Sequence, residues 1–340
     1  MDELKYFDLP HALQLENGET LKDVVVAYHS FGVLNDTKDN VVWIIHALTA
    51  NSNPMEWWPE MVGPDKAIDT NKYFVVCANV LGSHYGSTSP LSINRATGLP
   101  YYHAFPSLTT KDLALPYEAL RLHLGIDKIS LIIAASLGGQ QAMEWNISQP
   151  DIFQKMILIA TNAVHSPWGI AFNESQRLAI EADNTWEMGG NEAGAKGMKA
   201  ARSIALLSYR TAKGYNISQA EGDRQYTQLK ASSYQQYQGE KLVKRFNAYS
   251  YYLFTNAMDS HDVGRNRDSR EVALSQITAK TTIVGISSDI LFPLEEQIFL
   301  QTHIPNSKLE TIESLFGHDG FLIEGEVMSD VVKVVLAEND

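Results

Sequence analysis

The feature that most constrains the fold of this 340-residue chain is a series of short apolar segments in residues 22–162. Each segment is rich in Val, Ile, Phe or Leu, and several are apolar throughout instead of alternating with polar residues. Continuous apolar runs are typical of strands that are covered on both faces, as in a parallel sheet between helices. The segments read DVVVAYHSFG, NVVWIIHAL, KYFVVCANVLG, KISLIIAAS and FQKMILIATNA. They predict an α/β fold with a mostly parallel central sheet flanked by helices.

Residues 163–268 have a different pattern, because the strand-like runs stop and apolar residues recur mostly at helical spacing. This region also carries many of the tyrosines, which suits a helical layer over a pocket. Strand-like segments return in KTTIVGISSD and SKLETIES, and the chain ends with the amphipathic segment EVMSDVVKVVLAEN. We therefore predict that residues 1–162 and 269–340 form an α/β domain and that residues 163–268 form an inserted helical cap, or lid.

The segment TTKDLALPYEALRLHLG is the clearest helix candidate between the strand-like runs. It opens with threonine and aspartate and ends at Gly125, in agreement with the usual start and stop signals of helices. Pro116 lies inside the segment and predicts either a kink or a later start of the helix.

The charge balance argues against several classes of partner. The chain has 27 Lys and Arg residues against 40 Asp and Glu residues, which gives a formal net charge of -13. An acidic chain without a basic run is poorly suited to nucleic acids or to anionic membrane surfaces. Any polyanionic ligand would have to be met by a few local cations.

Cysteine content and the N-terminal sequence bear on the compartment. The single cysteine, Cys77, excludes an intramolecular disulfide and a cysteine-based metal cluster, and its apolar segment predicts a buried core position. The stretch MDELKYFDLPHAL lacks the basic start and apolar run of a signal peptide. No run of about 18 apolar residues predicts a membrane span. We therefore expect a cytoplasmic protein.

The segment ISLIIAASLGGQQAMEW, residues 129–145, places a serine between a predicted strand and a predicted helix. A nucleophile at such a strand-to-helix turn needs small residues two positions away on either side, because the turn is strained. Gly138 stands two positions after Ser136, and Gly139 allows close helix packing. Ala134 stands two positions before it, where glycine is usual. The alternative interpretation is that Ser136 only fills a tight turn.

Two later residues could complete a catalytic triad, in the chain order serine, acid, histidine that this architecture uses. His318 lies in SLFGHDGFL, a glycine-flanked loop after a strand. His303 lies in an amphipathic segment and is interpreted as an ordinary helical residue. Asp289 follows the strand segment TTIVGIS, although by itself it could equally be a helix N-cap. Taken together, the three positions favour Ser136 as a nucleophile.

These residue types predict acyl-enzyme chemistry. A serine hydroxyl is a weak nucleophile, so His318 would accept its proton as general base. Asp289 would orient the imidazole and stabilise its charged form without taking the proton. The tetrahedral oxyanion needs two backbone donors, for which we expect the N–H of Leu137 and that of either Leu48 or Thr49.

Nearly the whole chain resembles the homoserine O-acyltransferase family of α/β-hydrolase-fold enzymes. The matching stretches include HALTANS, YGSTSPLSIN, NESQRLAI, AARSIALLSYR, YQQYQGEKLVKRFNAYSYYLFTNAMDSHDVGR, SSDILFP and GHDGFL. The resemblance implies an α/β-hydrolase fold in which Ser136, Asp289 and His318 form the triad. It also implies that Thr49 and Leu137 are the oxyanion donors.

The resemblance further implies that Arg202, Tyr209 and Asp319 bind the amino acid L-homoserine. The residue types suit a zwitterion, whose carboxylate pairs with a guanidinium and whose ammonium pairs with a carboxylate. From the residues alone, Arg202 could also be an ordinary i,i+4 partner on a helix surface. The implied reaction is acetyl transfer from acetyl-CoA, as co-substrate, to the γ-hydroxyl of homoserine in methionine biosynthesis. No bound cofactor and no metal are implied.

The chain departs from the family pattern at several positions. Ser83 and His84 stand where a Gly-Cys pair is usual, Ser89 stands where glycine is usual, and Arg95 stands where proline is common. We expect these residues, like Ala134, to affect a region near the acyl-donor entrance. They leave the donor open between acetyl-CoA and succinyl-CoA. The acceptor stays open between homoserine and serine, and a carboxylic-ester hydrolase on the same fold is the alternative activity.

Some aromatic residues and the oligomeric state are ambiguous in the sequence. Trp57, Trp58 and Tyr85 could be core residues or pocket walls, and core is favoured for the two tryptophans. The family implies a homodimer through the cap helices. The tyrosine-rich stretch YSYYLFTNAM could serve that interface or could equally line a tunnel.

Overall fold

The computed structural model describes residues 3–222, 226–227 and 229–338, and its centre is an eight-stranded sheet. The strands lie in the order β1-β2-β4-β3-β5-β6-β7-β8, which confirms the predicted α/β architecture. Strand β2 pairs antiparallel with β1 and β4, and the other strand pairs of this eight-stranded sheet are parallel. The strands are β1 (Lys5–Asp8), β2 (Val25–Phe31), β3 (Val41–Ile45), β4 (Phe74–Ala78), β5 (Ile129–Ala135), β6 (Phe153–Ile159), β7 (Lys280–Ile286) and β8 (Ser307–Ile312).

The central strands are apolar throughout because both of their faces are covered. In β3, Val41, Trp43 and Ile45 belong to the core on one side of the sheet, whereas Val42 and Ile44 belong to the core on the other side. Successive side chains of a strand point to opposite faces, so a strand buried on both sides has no position left for a polar residue. Cys77 in β4 is fully buried, as predicted.

Helices cover both faces of the sheet, and further helices occur in the chain segment between its sixth and seventh strands. The helices are α1 (Pro54–Trp57), α2 (Thr110–His123), α3 (Leu137–Ser148), α4 (Pro167–Glu181), α5 (Ala195–Tyr209), α6 (Ala212–Ser218), α7 (Lys230–Val243), α8 (Ala248–Asp259), α9 (Arg270–Ser275), α10 (Leu294–His303), α11 (Gly320–Ile323) and α12 (Gly325–Ala337). Residues of α2, α3, α9 and α10 share one core with the sheet, and residues of α12 share the core of the opposite face. No helix in the described part of the chain is both long and apolar enough to cross a membrane.

Helix α2 begins before Pro116 and not after it. Thr109 and Asp112 form a reciprocal capping box, so the helix starts at Thr110 and runs through Pro116 to His123. The prediction of a later start was wrong, because the capping box satisfies the first backbone donors well before the proline. Gly125 follows the helix with φ +67°, the left-handed conformation that glycine adopts readily.

Helices α4 to α8 lie between β6 and β7, the position predicted for the cap. They share a core with residues near the sheet edge, including Leu48, Leu137 and Phe292. The stretch YSYYLFTNAM forms most of α8, and its residues are mostly buried within the chain, including the fully buried Tyr251 and Phe254. Residues 223–225 and 228 of the predicted cap lie outside the described residues. The division into two domains stays a prediction.

Candidate active site

Ser136 occupies a strained turn between β5 and α3. Its backbone angles are φ 55° and ψ -124°, in a region that side-chain-bearing residues rarely adopt. A Cβ atom on Gly138 would lie 2.4 Å from the carbonyl oxygen of Ile45, and one on Gly139 would lie 2.6 Å from the Thr161 side chain. Both glycines are therefore required for the close approach of helix and sheet. Strain at such a turn is typical of a position kept for its chemistry.

Ala134, which replaces the usual glycine, fits the turn without displacing it. It is fully buried and pairs in register with Ile45 of β3 and Leu158 of β6. Its methyl group joins the core on one face of the sheet. The extra methyl is thus accommodated by packing, and Ser136 still projects beyond the end of the strand.

The structure brings together the three residues predicted as a triad. His318 Nε2 lies 3.0 Å from Ser136 Oγ, and His318 Nδ1 lies 2.7 Å from Asp289 Oδ2. All three residues are buried, with 4% to 5% of their surface exposed. A carboxylate can only accept a hydrogen bond, so Nδ1 carries the proton and Nε2 is free to accept that of the serine. His318 also stacks on Phe292, with ring centroids 5.0 Å apart.

One carboxylate oxygen of Asp289 accepts a hydrogen bond from the His318 imidazole, and the other stabilises the turn in which Asp289 lies. Its Oδ1 accepts hydrogen bonds from the backbone N–H groups of Leu291 at 2.8 Å and Phe292 at 3.0 Å. Helix α10 begins later, after Pro293, so the alternative interpretation of Asp289 as its N-cap was wrong. The two backbone donors fix the carboxylate plane and hence the direction of the bond to His318.

The proposed nucleophile opens into a cavity of about 350 Å³. Leu48 and Thr49 both line this cavity, next to Ser136 and His318. Leu137 is the first residue of α3, so its N–H is one of those at a helix N-terminus that have no partner within the helix. The assignment of Thr49 and Leu137 as oxyanion donors stays a prediction.

All three residues predicted to bind an amino acid line the same cavity. Arg202 forms no ion pair with any described residue, and its guanidinium lies 5.4 Å from the ring centroid of Tyr209. The Tyr209 ring in turn lies 5.7 Å from that of His318. Burial raises the pKa of Tyr209, so its hydroxyl is neutral. The interpretation of Arg202 as a surface helix partner was therefore wrong, because the side chain faces the cavity.

Asp319 has a cationic neighbour that sequence reasoning missed. Arg210 Nε lies 2.8 Å from Asp319 Oδ2, without the geometry of a hydrogen bond. The same guanidinium lies 5.4 Å from the ring centroid of Phe316. The position next to Tyr209 in LSYR was the available signal. The pair holds a carboxylate beside His318 while leaving part of its acceptor capacity unused.

Further cavity-lining residues include Glu56, Trp57, Tyr85, Lys241 and Arg245. Sequence reasoning did not select the two cations or Glu56. Trp57 is half-buried and reaches the cavity, so the preference for a core role was wrong for it in part. Trp58 is 2% exposed, which confirms a core role, and its Nε1 donates to the Phe321 carbonyl at 2.9 Å.

The positions that depart from the family pattern do not line the cavity. Ser83 is fully buried, and His84 packs 4.3 Å from Tyr85 and 4.9 Å from Phe246 between ring centroids. Ser89 is buried, and Arg95 pairs with the exposed carboxylate of Asp23 at 3.0 Å. The expectation that these residues act directly at the donor entrance therefore has no contact to support it. His84 can affect the cavity indirectly, through its neighbours Tyr85 and Arg245.

No cluster of three or more histidine, cysteine, aspartate or glutamate side chains suited to a metal is present among residues 3–222, 226–227 and 229–338.

Glu296, a partly buried residue near the triad, is expected to make the stability of the protein depend on pH. Burial raises the pKa of Glu296 to about 7, and the charge of Asp289 adds to the effect, although Asn162 donates to its Oε2 at 2.9 Å. The folded-state pKa lies above the value of 4.5 for a free side chain, so the native state binds the additional proton and stability falls as pH rises through this window. Wild type is expected to lose unfolding free energy between pH 5 and pH 8, and Glu296→Gln is expected to reduce this loss by about 1–2 kcal/mol.

Urea unfolding at both pH values measures this difference. Glu326→Gln, at an exposed position in α12, is the control and is expected to leave the wild-type pH dependence unchanged, because Glu326 is not among the charges that raise the pKa of Glu296. Parallel pH profiles for wild type and Glu296→Gln would contradict the assignment.

Comparisons with known proteins agree with this geometry. A family model described as alpha/beta hydrolase fold matches residues 40–324. A homoserine O-acetyltransferase of Cyclobacterium marinum is 47% identical over 334 residues, covering 98% of this chain and 95% of the relative. The crystal structure of a homoserine O-acetyltransferase from Bacillus anthracis is 25% identical with a TM-score of 0.91, covering 99% and 98% of the two chains. Esterase E22 has a TM-score of 0.90 at 23% identity, over 99% and 100% of the two chains, and shares the fold.

The identity to the Cyclobacterium protein extends over almost the full length of both chains. It therefore includes the segments that carry the serine, the aspartate and the histidine, as well as the helices between β6 and β7. The chain belongs to the homoserine O-acetyltransferase family of α/β-hydrolase-fold proteins.

Proposed function

We propose that this protein transfers an acetyl group from acetyl-CoA to the γ-hydroxyl of L-homoserine, as a step of methionine biosynthesis. The observation that carries the proposal is one cavity that combines a hydrogen-bonded Ser136–His318–Asp289 set with the carboxylate of Asp319 and the guanidinium of Arg202, which forms no ion pair with a described residue. A simple esterase needs the first set only. A transferase with an amino-acid acceptor needs both.

In the first half-reaction Ser136 Oγ attacks the thioester carbonyl while His318 Nε2 takes the hydroxyl proton. The carbon–sulfur bond then breaks, and the proton passes from His318 to the sulfur, so that coenzyme A leaves as a free thiol. Asp289 stabilises the transient imidazolium. The N–H groups of Leu137 and Thr49 stabilise the tetrahedral oxyanion.

In the second half-reaction the γ-hydroxyl of homoserine replaces coenzyme A. His318 takes the hydroxyl proton as the oxygen attacks the acyl carbon, and Ser136 Oγ leaves and recovers the proton from His318. Microscopic reversibility gives both halves the same base and the same oxyanion donors. The mechanism is therefore of the ping-pong type.

Acceptor selection follows from the charges at the far side of the cavity. The Arg202 guanidinium offers two parallel donors to the α-carboxylate, and Asp319 accepts from the α-ammonium. Arg210 already neutralises part of the Asp319 charge, so the cavity remains net positive before the carboxylate enters. Helices α4 to α8 act as a cap that limits the access of water to the acyl-enzyme.

The experiment that tests this function follows thiol release with acetyl-CoA or succinyl-CoA, each with homoserine, with serine or without an amino acid. Release that requires homoserine and prefers acetyl-CoA is the expected result. Equal release without any amino acid would mean that water is the acceptor and would favour an ester hydrolase. A preference for succinyl-CoA or serine would redefine the donor or the acceptor on the same mechanism.

Arg202→Ala is expected to raise the KM for homoserine and to lower kcat/KM by about 100-fold, since a charge-assisted fork is lost. Hydrolysis of p-nitrophenyl acetate, which has no carboxylate, is expected to stay within about twofold of wild type. Lys199→Ala on the same helix, whose lysine pairs with Glu240 at the surface, is the control. An equal loss with both substrates would show that Arg202 does not bind the acceptor.

We also propose that the protein is a cytoplasmic homodimer associated through the cap helices. Exposed apolar side chains on this region include Leu178, Leu207 and Tyr237, each more than half exposed. The buried stretch in α8 is a poor candidate for such a contact. Sedimentation of the wild-type protein and of Leu207→Glu tests the oligomeric state.

A further inference from the structure

Arg245 reaches from the segment after α7 to the loop that follows β3. Its Nη1 donates to the carbonyl oxygen of Thr49, and its Nη2 donates to Thr49 Oγ1 at 3.1 Å. Nη1 also lies 3.4 Å from the Tyr85 hydroxyl, which itself donates to the Arg245 carbonyl. The Arg245 guanidinium therefore binds two atoms of Thr49, and Tyr85 contacts both the side chain and the backbone of Arg245.

The same loop is fixed at its beginning by a buried histidine. Val80 N–H donates to His46 Nε2 at 3.1 Å, and His46 Nδ1 lies 2.9 Å from the Ala47 carbonyl. Burial lowers the pKa of His46 to about 4, so the ring is neutral with its proton on Nδ1. The loop is thus anchored at residue 46 within the α/β part of the chain. Its other end at Thr49 is anchored by Arg245.

We propose that Arg245 is a positioning residue that holds the loop of Leu48 and Thr49 in the geometry required of the oxyanion donor. A backbone donor stabilises the transition state only when it points at the place where the oxyanion forms, and small displacements remove much of its effect. By binding both the carbonyl and the hydroxyl of Thr49, the guanidinium fixes two directions of the residue at once. The inference rests on the proposed role of Ser136 as nucleophile.

The guanidinium could instead serve the donor substrate. Arg245 and Lys241 both line the cavity, and coenzyme A carries phosphates that an acidic chain must meet with local cations. The two roles differ in a decisive way. A phosphate anchor acts only on donors that contain phosphate, whereas a positioning residue acts on every acyl donor.

The test uses p-nitrophenyl acetate, which contains no phosphate, and measures the burst of p-nitrophenol that accompanies acylation of Ser136. Arg245→Ala is expected to slow the burst rate by about 10- to 100-fold with little change in KM. Added guanidinium ion is expected to restore part of the rate. Arg245→Lys is expected to remain impaired, because an ammonium is a point charge that does not reproduce the planar fork.

Lys244→Ala is the matched control, since it removes an exposed cation next to Arg245 that is not among the residues lining the cavity, and it is expected to keep the wild-type burst rate with the ester. Thr49→Val, which removes only the hydroxyl acceptor, gives a second variant in case Arg245→Ala does not fold. A severalfold slower burst in Thr49→Val supports the proposal.

Wild-type burst rates for Arg245→Ala and Thr49→Val, with a raised KM for acetyl-CoA in the former, would overturn the proposal in favour of a phosphate contact. The burst needs no homoserine. The positioning role can therefore be judged even if the acceptor assignment fails.

Discussion

Ser136→Ala is expected to lower kcat/KM for acetyl transfer by about 10⁴- to 10⁶-fold and to abolish the acetylated enzyme. The reason is that no other hydroxyl among the described residues is in hydrogen-bond contact with His318 and could take the acyl group. The backbone strain at the turn persists in the variant, because alanine also carries a Cβ atom. The change therefore removes the nucleophile alone and is expected to leave the free energy of unfolding nearly unchanged.

Steady-state thiol release and the intact mass of the protein after exposure to acetyl-CoA measure this effect. Ser148→Ala, at the end of the same helix α3, is the matched control, because its hydroxyl donates to the Trp145 carbonyl. Acetylation of the Ser136→Ala protein at wild-type rate would mean that another side chain is the nucleophile. The assignment of Ser136 would then be wrong.

Asp289→Asn is expected to lower kcat by about 10⁴-fold. The asparagine carbonyl can still accept from the backbone N–H groups of Leu291 and Phe292, so its amide nitrogen faces His318 Nδ1. A donor at that place forces the imidazole proton onto Nε2, which can then no longer accept the Ser136 proton. The opposite amide orientation would set two donors against each other, so the turn itself enforces the wrong tautomer.

Single-turnover acetylation with acetyl-CoA measures this loss, and the unfolding transition shows that the turn is retained. Asp330→Asn is the control, because its carboxylate is exposed and pairs with Lys333. A loss of less than tenfold in Asp289→Asn would indicate that His318 takes its orientation from packing against Phe292. The carboxylate would then contribute little.

The core of the site could be predicted from the sequence because local composition determines where each residue lies. Ser136, Asp289 and His318 each follow a segment that is recognisable as a strand, and the carboxyl ends of parallel strands meet at one edge of a sheet. The chain order of the three residues then leaves little choice among the histidines. His303 ends α10 and packs on Phe299, as its amphipathic segment predicted.

Other features depend on contacts that no local pattern encodes. Strand β1 buries only Phe7 among four residues and forms by pairing with β2 at the sheet edge, so its sequence alone did not predict a strand. Trp57 and Trp58 are neighbours with the same side chain. One reaches the cavity and the other is buried, because the four-residue helix α1 ends between them.

Two arginine contacts at or near the cavity could not be predicted from the sequence for the same reason. Arg245 is separated from Thr49 by 196 positions, and Arg210 meets Asp319 across more than 100. Such contacts are set by how the cap helices pack on the sheet edge. Helical periodicity predicts which face of a helix is apolar but does not predict which loop that face will contact.

The separation of Ser136 from His318 by 182 positions has a consequence for the protein during its synthesis. At about 5–20 residues per second, the serine leaves the ribosome roughly 10–35 seconds before its base. Throughout that interval the nascent chain carries an ordinary alcohol, since the general base His318 has not yet left the ribosome. Chains that terminate early therefore end as inert fragments that cannot consume the acyl thioesters of the cell.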